Sequence, residues 1–247
     1  MTAQATPSPP RRQTVFQSSL MSALLAGVYD GDVTVRELLQ HGDFGLGTFN
    51  ALDGEMIIVD GVCHRLRSDG GATPAAPDAR TPFAVVTGFA PSITAELPAD
   101  LVRDEVVGVI RRLTRSENYL YAVRVTGHFA WVRTRTVRRQ DRPYQPLVEV
   151  TRGEPVQRFD DISGVVAGFR TPLYERGIGV PGGHVHFIDD ERRCGGHVLD
   201  FKITRARVEL CPATDLHLAL PLSDAFSRAD LDPADLEQQV RQSENHR

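Results

Sequence analysis

The stretch GGHVHFIDDERRCGGHVLDF, from Gly182 to Phe201, decides the reading of this 247-residue chain. Alternate residues of a strand leave on one face, so His184 and His186 put both imidazoles on the same side. If DDERR is the turn of a hairpin, His186 and His197 lie equally far from its midpoint, between Glu191 and Arg192. They are then a directly opposed cross-strand pair, and opposed pairs share a face. Three imidazoles would converge from two neighbouring strands, a donor set that suits a divalent metal and leaves positions open for water and substrate. An isolated HxH is most often a pair of ordinary histidines; the third in register is what points to a metal. A closed structural zinc site would favour four ligands including cysteine, and Cys194 is three residues out of step with His197. The flanking pairs Gly182-Gly183 and Gly195-Gly196 fit strands that bend where a ligand approaches the backbone, or ordinary strand ends.

On both sides of this hairpin the pattern is α+β, with mixed and antiparallel sheets and a few helices. Leu20, Met21, Leu24 and Leu25 predict a helix over 17–25, and Thr34 followed by Glu37 is a capping box that starts a second. The runs GLGTFNALDG, EMIIVDG and VCHRLR, punctuated by Asp53-Gly54 and Asp60-Gly61, predict an antiparallel meander with two-residue turns. Residues 68–81 read as a loop, 83–89 as a strand, 99–113 as a helix, and 119–137 as two strands hinged near Gly127. Further strands are expected at 148–151, 164–170, 184–188, 197–203, 206–210 and 216–220. A last helix follows Asp232-Pro233 with Leu236 and Val240 on its apolar face. The expected organisation is a disordered Pro/Ser/Thr-rich tail over 1–13 and two packed subdomains, about 14–150 and 151–247.

Composition narrows the function. Hydrophobic residues make up 41% of the chain, enough for a sizeable core. The 28 basic and 32 acidic residues leave a formal charge of -4 with both signs scattered, which disfavours a nucleic-acid partner. No run approaches the roughly 18 apolar residues of a membrane span, and MTAQATPSPPRR lacks the apolar stretch of a secretory signal, so a cytoplasmic address is expected. Cys63, Cys194 and Cys211 are odd in number and widely spaced, which suits reduced thiols rather than a disulfide framework or a CxxC pair. His41, His64, His128, His217 and His246 are assigned no role.

Beyond the histidines, LGTFNALDGEM (46–56), VRTRTV with QDRPYQPL (132–147), GVVAGFRTPLY (164–174) and the GGHVHF and GGHVLDF arms together resemble the acetolactate decarboxylases, from about Val15 to Glu244. The resemblance implies a metal-dependent lyase that converts 2-acetolactate to acetoin, of R configuration, and carbon dioxide. It implies zinc on His184, His186 and His197, and a homodimer whose sheets pair across subunits. It places the catalytic roles on Glu55 of DGEM, Arg135 of RTR and Glu244 near the C-terminus, with Glu237 the alternative to Glu244, and substrate binding on Thr48 and Arg135. Ala51 departs from the family pattern, which often has glycine there. The chemistry suits these residues. Losing carbon dioxide from a β-keto acid leaves an enediolate, whose charge a Lewis acid and a guanidinium stabilise and whose carbon a carboxylic acid can protonate. Two rival readings remain: another three-histidine metalloenzyme, such as a zinc hydrolase or a cupin-like oxygenase, and a small-molecule-binding module without catalysis. The ten residues between His186 and His197 do not match cupin spacing, and a vestigial site would be expected to lack a ligand or Glu55.

Overall fold

The computed structural model describes residues 12–244. Its elements begin with β1 (Thr14–Ser18), α1 (Met21–Leu25), β2 (Val33–Thr34), α2 (Val35–Leu38), β3 (Phe44–Thr48), β4 (Glu55–Val59) and β5 (Val62–Leu66). There follow β6 (Ala72–Pro74), β7 (Arg80–Thr81), β8 (Phe83–Thr87), β9 (Ile93–Leu97), α3 (Arg103–Leu113), β10 (Leu120–Arg135) and α4 (Leu147–Val150). The chain closes with β11 (Val156–Thr171), β12 (Gly182–Asp189), β13 (Gly195–Ala213), β14 (Asp215–Ala219), α5 (Asp224–Arg228) and α6 (Leu236–Glu244).

Seven strands form a mixed sheet in the order β14-β1-β8-β3-β4-β5-β6, in which β1 runs parallel to β14 and all other pairs are antiparallel. The second sheet, entirely antiparallel, closes on itself: β10 pairs with β11 and with β13, while β12 joins β11 to β13. β9 adds to the far half of β13. The α+β class with mixed and antiparallel sheets is therefore the one observed. Neither sheet is contiguous in sequence, since the mixed sheet takes β14 from the C-terminal part and the ring takes β9 and β10 from before residue 150.

Period-two alternation sorts the mixed sheet into two faces. On β4, Ile57 and Val59 enter a core shared with Val165, Ala167 and Phe169 of β11, whereas Met56 and Ile58 enter a second core beneath Val35 and Leu38 of α2. Thr48 and Glu55 fall on the ring-facing side by the same alternation. The mixed sheet approaches the ring closely at Gly168: an added Cβ would meet Leu46 Cδ2 of β3 at 2.7 Å, as well as the His184 carbonyl oxygen of the adjacent β12 at 2.1 Å. A third core inside the ring holds Phe129, Phe187 and Phe201 and is covered by Val106 and Ile110 of α3.

Several local expectations hold. Thr34 and Glu37 form the capping box, the Glu37 N–H donating to Thr34 Oγ1 at 3.2 Å and the Thr34 N–H to the Glu37 carboxylate at 2.8 Å. Asp60 and Gly61, at φ 52° and 76°, make the two-residue turn between β4 and β5.

Others are corrected. Gln17 and Ser18 belong to β1, because pairing on both sides outweighs the helical spacing, and α1 starts only at Met21. The β3–β4 connection is not a two-residue turn; a 3-10 turn over Asn50–Leu52 precedes Gly54, which alone of the Asp53-Gly54 pair has positive φ. The stretch 68–81 contains β6 and β7, and 119–137 holds a single long strand, β10, that runs through Gly127 with register shifts beyond it. Gly127 serves close packing: an added Cβ would lie 2.6 Å from Ala206 Cβ. The two strands expected at 197–203 and 206–210 are one, and 148–151 is the single-turn α4, packed against α1 and α6. Of the expected tail, residues 1–11 lie outside those described, while Arg12 pairs with Asp215 and the Gln13 carbonyl accepts from the Thr214 N–H.

Candidate active site

The hairpin puts the three histidines where the register argument requires. His186 is directly opposed to His197, and β13 also pairs His197 with Arg135 of β10, so three adjacent strands carry one row of site residues. The available ligand atoms of His184, His186 and His197 lie within 4.8 Å of one another. On the facing sheet, Thr48 and Glu55 are an opposed pair at the ends of β3 and β4. A cavity of about 30 Å³ opens between them, lined by Thr48, Glu55, Arg135, His184, His197 and Glu244, with Met21, Leu24, Leu52, Phe83, Val137 and Leu147 among its apolar walls.

Backbone partners fix the imidazole tautomers. His186 Nδ1 lies 2.7 Å from the Met56 carbonyl, which can only accept, so Nδ1 carries the hydrogen and Nε2 keeps its lone pair. That Nε2 is fully buried and has no hydrogen-bond partner, the signature of a metal-ligating nitrogen. His197 donates from Nε2 to the Glu244 carbonyl at 3.3 Å, which leaves Nδ1 as its donor atom. Burial, helped by the positive charge of Arg135, pushes His184 down to about 3, and burial holds His186 and His197 well below the ordinary histidine range. All three are thus neutral imidazoles near pH 7, the form that binds metal, and the residues fit a divalent ion.

The carboxylates are equally buried. Glu55 Oε2 lies 3.8 Å from His186 Nε2, and Glu244 Oε2 lies 3.5 Å from His184 Nε2 and 3.8 Å from His197 Nδ1. Burial raises Glu55 to about 8, with Arg135 opposing and Glu154 and Glu244 adding to the rise. Arg135 donates from Nη1 to Glu154 and from Nη2 to the Ser243 carbonyl. Burial opposes its charge, but Glu154, Glu244 and Glu55 more than offset that and hold its pKa above the ordinary arginine value.

Every residue singled out in the sequence for the site therefore meets at one cavity or, for His186, at its edge. Of the alternatives, Glu237 is excluded by position, since it pairs on the surface with Arg241 and Arg176. Arg133 is exposed although it leaves the same strand face two residues before buried Arg135: the β10–β11 register runs unbroken through both, and the difference is cover, since Glu154 and the Ser243 carbonyl close over Arg135. Sequence reasoning missed Glu154 and the carbonyls of Met56 and Ser243. Glu154 sits in a short connection with no periodicity to mark it, and carbonyls carry no sequence signal.

Fold and site together define a class: an α+β enzyme whose candidate metal site is three histidines on a closed antiparallel sheet. The alpha-acetolactate decarboxylase family model matches residues 15–233, a span that holds the three histidines, Glu55 and Arg135 and ends before Glu244. The alpha-acetolactate decarboxylase of Klebsiella aerogenes is 45% identical over 231 residues, covering 94% of this chain and 89% of that protein. That of Methylococcus capsulatus is 47% identical over 217 residues, 88% of this chain and 84% of its own. The crystal structure of alpha-acetolactate decarboxylase from Bacillus subtilis strain 168 superposes with a TM-score of 0.92 at 42% identity, covering 94% of this chain and all of that one. The chain belongs to the alpha-acetolactate decarboxylase family. Among the described residues no helix is long and apolar enough to cross a membrane.

Proposed function

We infer that this chain decarboxylates 2-acetolactate, releasing carbon dioxide and acetoin. It is an acetolactate decarboxylase, a carboxy-lyase of class EC 4.1.1.5. One observation carries the reading of the site: two buried and one half-buried neutral imidazole, a buried guanidinium and the carboxyl groups of Glu55 and Glu244 converge on one cavity. His184, His186 through Nε2 and His197 through Nδ1 would hold the ion, and zinc suits three imidazoles. When bound, it supplies a Lewis acid beside the substrate oxygens.

The chain's own groups do the rest. Arg135 holds the substrate carboxylate through the hydrogens that Glu154 and Ser243 leave over. Thr48 gives its hydroxyl hydrogen to the Gly54 carbonyl at 2.8 Å, so toward substrate it can only accept, which suits the tertiary hydroxyl. The bond to the carboxylate breaks and its electron pair passes toward the ketone, forming an enediolate whose charge stays beside Arg135. The carbon that lost carbon dioxide then takes a proton from Glu55 or Glu244, and delivery from one side makes the acetoin chiral.

The chain works as a homodimer in the cytoplasm. Supporting the first, β14 is an open edge of the mixed sheet, with Leu216, Leu220 and Leu222 exposed along and just beyond it. Supporting the second, the three cysteines are unpaired. Metal analysis of the purified protein, run beside a colour assay for acetoin, tests the main reading. One zinc per chain with acetoin formed from acetolactate is expected, and metal-loaded protein that forms no acetoin refutes it. Sedimentation of the same sample as a monomer, or recovery of the native protein outside the cytoplasm on cell fractionation, would overturn the corresponding proposal.

A further inference from the structure

Arg135 is not aimed by its own strand alone. Its side chain is 3% exposed and two of its three nitrogens are tied, Nη1 to the Glu154 carboxylate and Nη2 to the Ser243 carbonyl. The third, Nε, is buried with no hydrogen-bond partner. Glu154 stands in the connection between α4 and β11, two residues before Val156, the residue directly opposite Arg135 on the paired strand. Its side chain is 4% exposed, and one oxygen meets Arg135 while the other is buried without a hydrogen-bond partner. Desolvating a carboxylate to this degree is unfavourable unless a partner charge compensates, and an apolar residue would fill the same space without that cost.

We propose that Glu154 is the positioning residue of the site, taking Nη1 of Arg135 and so fixing the plane of the guanidinium with its remaining N–H groups toward the substrate carboxylate. This rests on the decarboxylase reading above. Glu154 is absent from the cavity wall, whereas Arg135, Glu55 and Glu244 are part of it, so Glu154 acts through Arg135 and does not touch substrate.

The test compares Glu154→Gln and Glu154→Ala with wild type, alone and combined with Arg135→Lys. Zinc content should be unchanged. For acetolactate, kcat should fall and KM rise together, for a combined loss in kcat/KM of about 10- to 100-fold. The double variant should lose little beyond Arg135→Lys alone, because the role of Glu154 runs through that arginine. If Glu154→Ala does not fold, the isosteric Glu154→Gln carries the comparison. A bridge that served stability alone would lower the melting temperature, leave kcat/KM within twofold and add its effect to that of Arg135→Lys; that result overturns the proposal. An activity-free arm keeps the two readings separable. In nitrogen-15-labelled protein the Nη–H signals of Arg135 should be resolved in wild type and averaged in Glu154→Gln. Resolved signals in both would refute positioning even if acetoin is formed, whereas wild-type protein inactive on acetolactate would refute the functional reading and leave this spectrum to decide positioning.

Discussion

Gly168→Ala tests whether the close packing of β11 against β12 beside it and β3 of the facing sheet sets the geometry of the histidines. An added Cβ would sit 2.1 Å from the carbonyl oxygen of His184 and 2.7 Å from Leu46 Cδ2, both far inside ordinary contact. Neither neighbour yields easily: one is backbone of β12 and the other belongs to the buried Leu46. To relieve the overlap β12 must retreat by about 1 Å, carrying His184 with it. Overpacking of this kind costs about 1–3 kcal/mol, and the roughly 0.4–1 kcal/mol gained from a stiffer unfolded chain does not cancel it at the upper end. At about 2–4 °C per kcal/mol for a chain of this size, the melting temperature should fall by several degrees. A displacement of about 1 Å at a ligand should also lower decarboxylase activity by roughly 10- to 100-fold in the protein that remains folded. Gly183→Ala is the control. Gly183 adjoins His184 in sequence, yet an added Cβ there meets nothing within 4 Å. Circular-dichroism melting, zinc content and acetoin formation should show Gly168→Ala impaired on all three and Gly183→Ala unchanged. Equal damage from both, or full activity and an unchanged melting temperature in Gly168→Ala, would refute the reasoning.

Chelation should abolish activity and lower the melting temperature, by the loss of about 2.7 kcal/mol if the ion had been present at 100 times its dissociation constant, and added zinc should restore both; His186→Ala should bind no zinc under the same conditions, and full occupancy in it would remove His186 from the ligand set. Arg135→Lys keeps the charge but loses the planar fork, so turnover should drop about 100-fold with metal retained, whereas Arg133→Lys should stay within about twofold; the reverse ranking would place the role on the exposed residue. Glu55→Gln should keep zinc and lose about 100-fold or more in turnover, or give racemic acetoin, because an amide cannot cycle a proton; wild-type rate and enantiomeric excess would shift the proton to Glu244 alone.

The hairpin register was legible because it depends on counting: a symmetric turn and a period of two leave one way to oppose His186 and His197, and the pairing agrees. The Thr34–Glu37 box was legible because both partners lie within four residues. What the sequence hid is set by distant neighbours. Gly127 reads as a hinge until Ala206 is seen pressed against it. The β-branched stretch 148–151 reads as a strand until α1 and α6 are seen to hold it as a helical turn. Arg133 and Arg135 are equivalent by period two, and only the cover that Glu154 and α6 bring over Arg135 from distant parts of the chain, invisible in any local pattern, buries one and leaves the other exposed. Glu154 had no local signal, since its significance lies in facing Arg135 from 19 positions away.

Three glutamates crowd one arginine inside this protein, and buried charges of that kind often lower stability relative to apolar residues of the same volume, by about 1–4 kcal/mol where the swap has been made. The site is therefore a place where heat resistance can be gained by giving up chemistry. A laboratory selection that scores only survival at high temperature would drift toward variants with an oily, silent centre. One that scores acetoin after heating would be pushed outward, to loops and helix ends, and would leave the charged interior as it is.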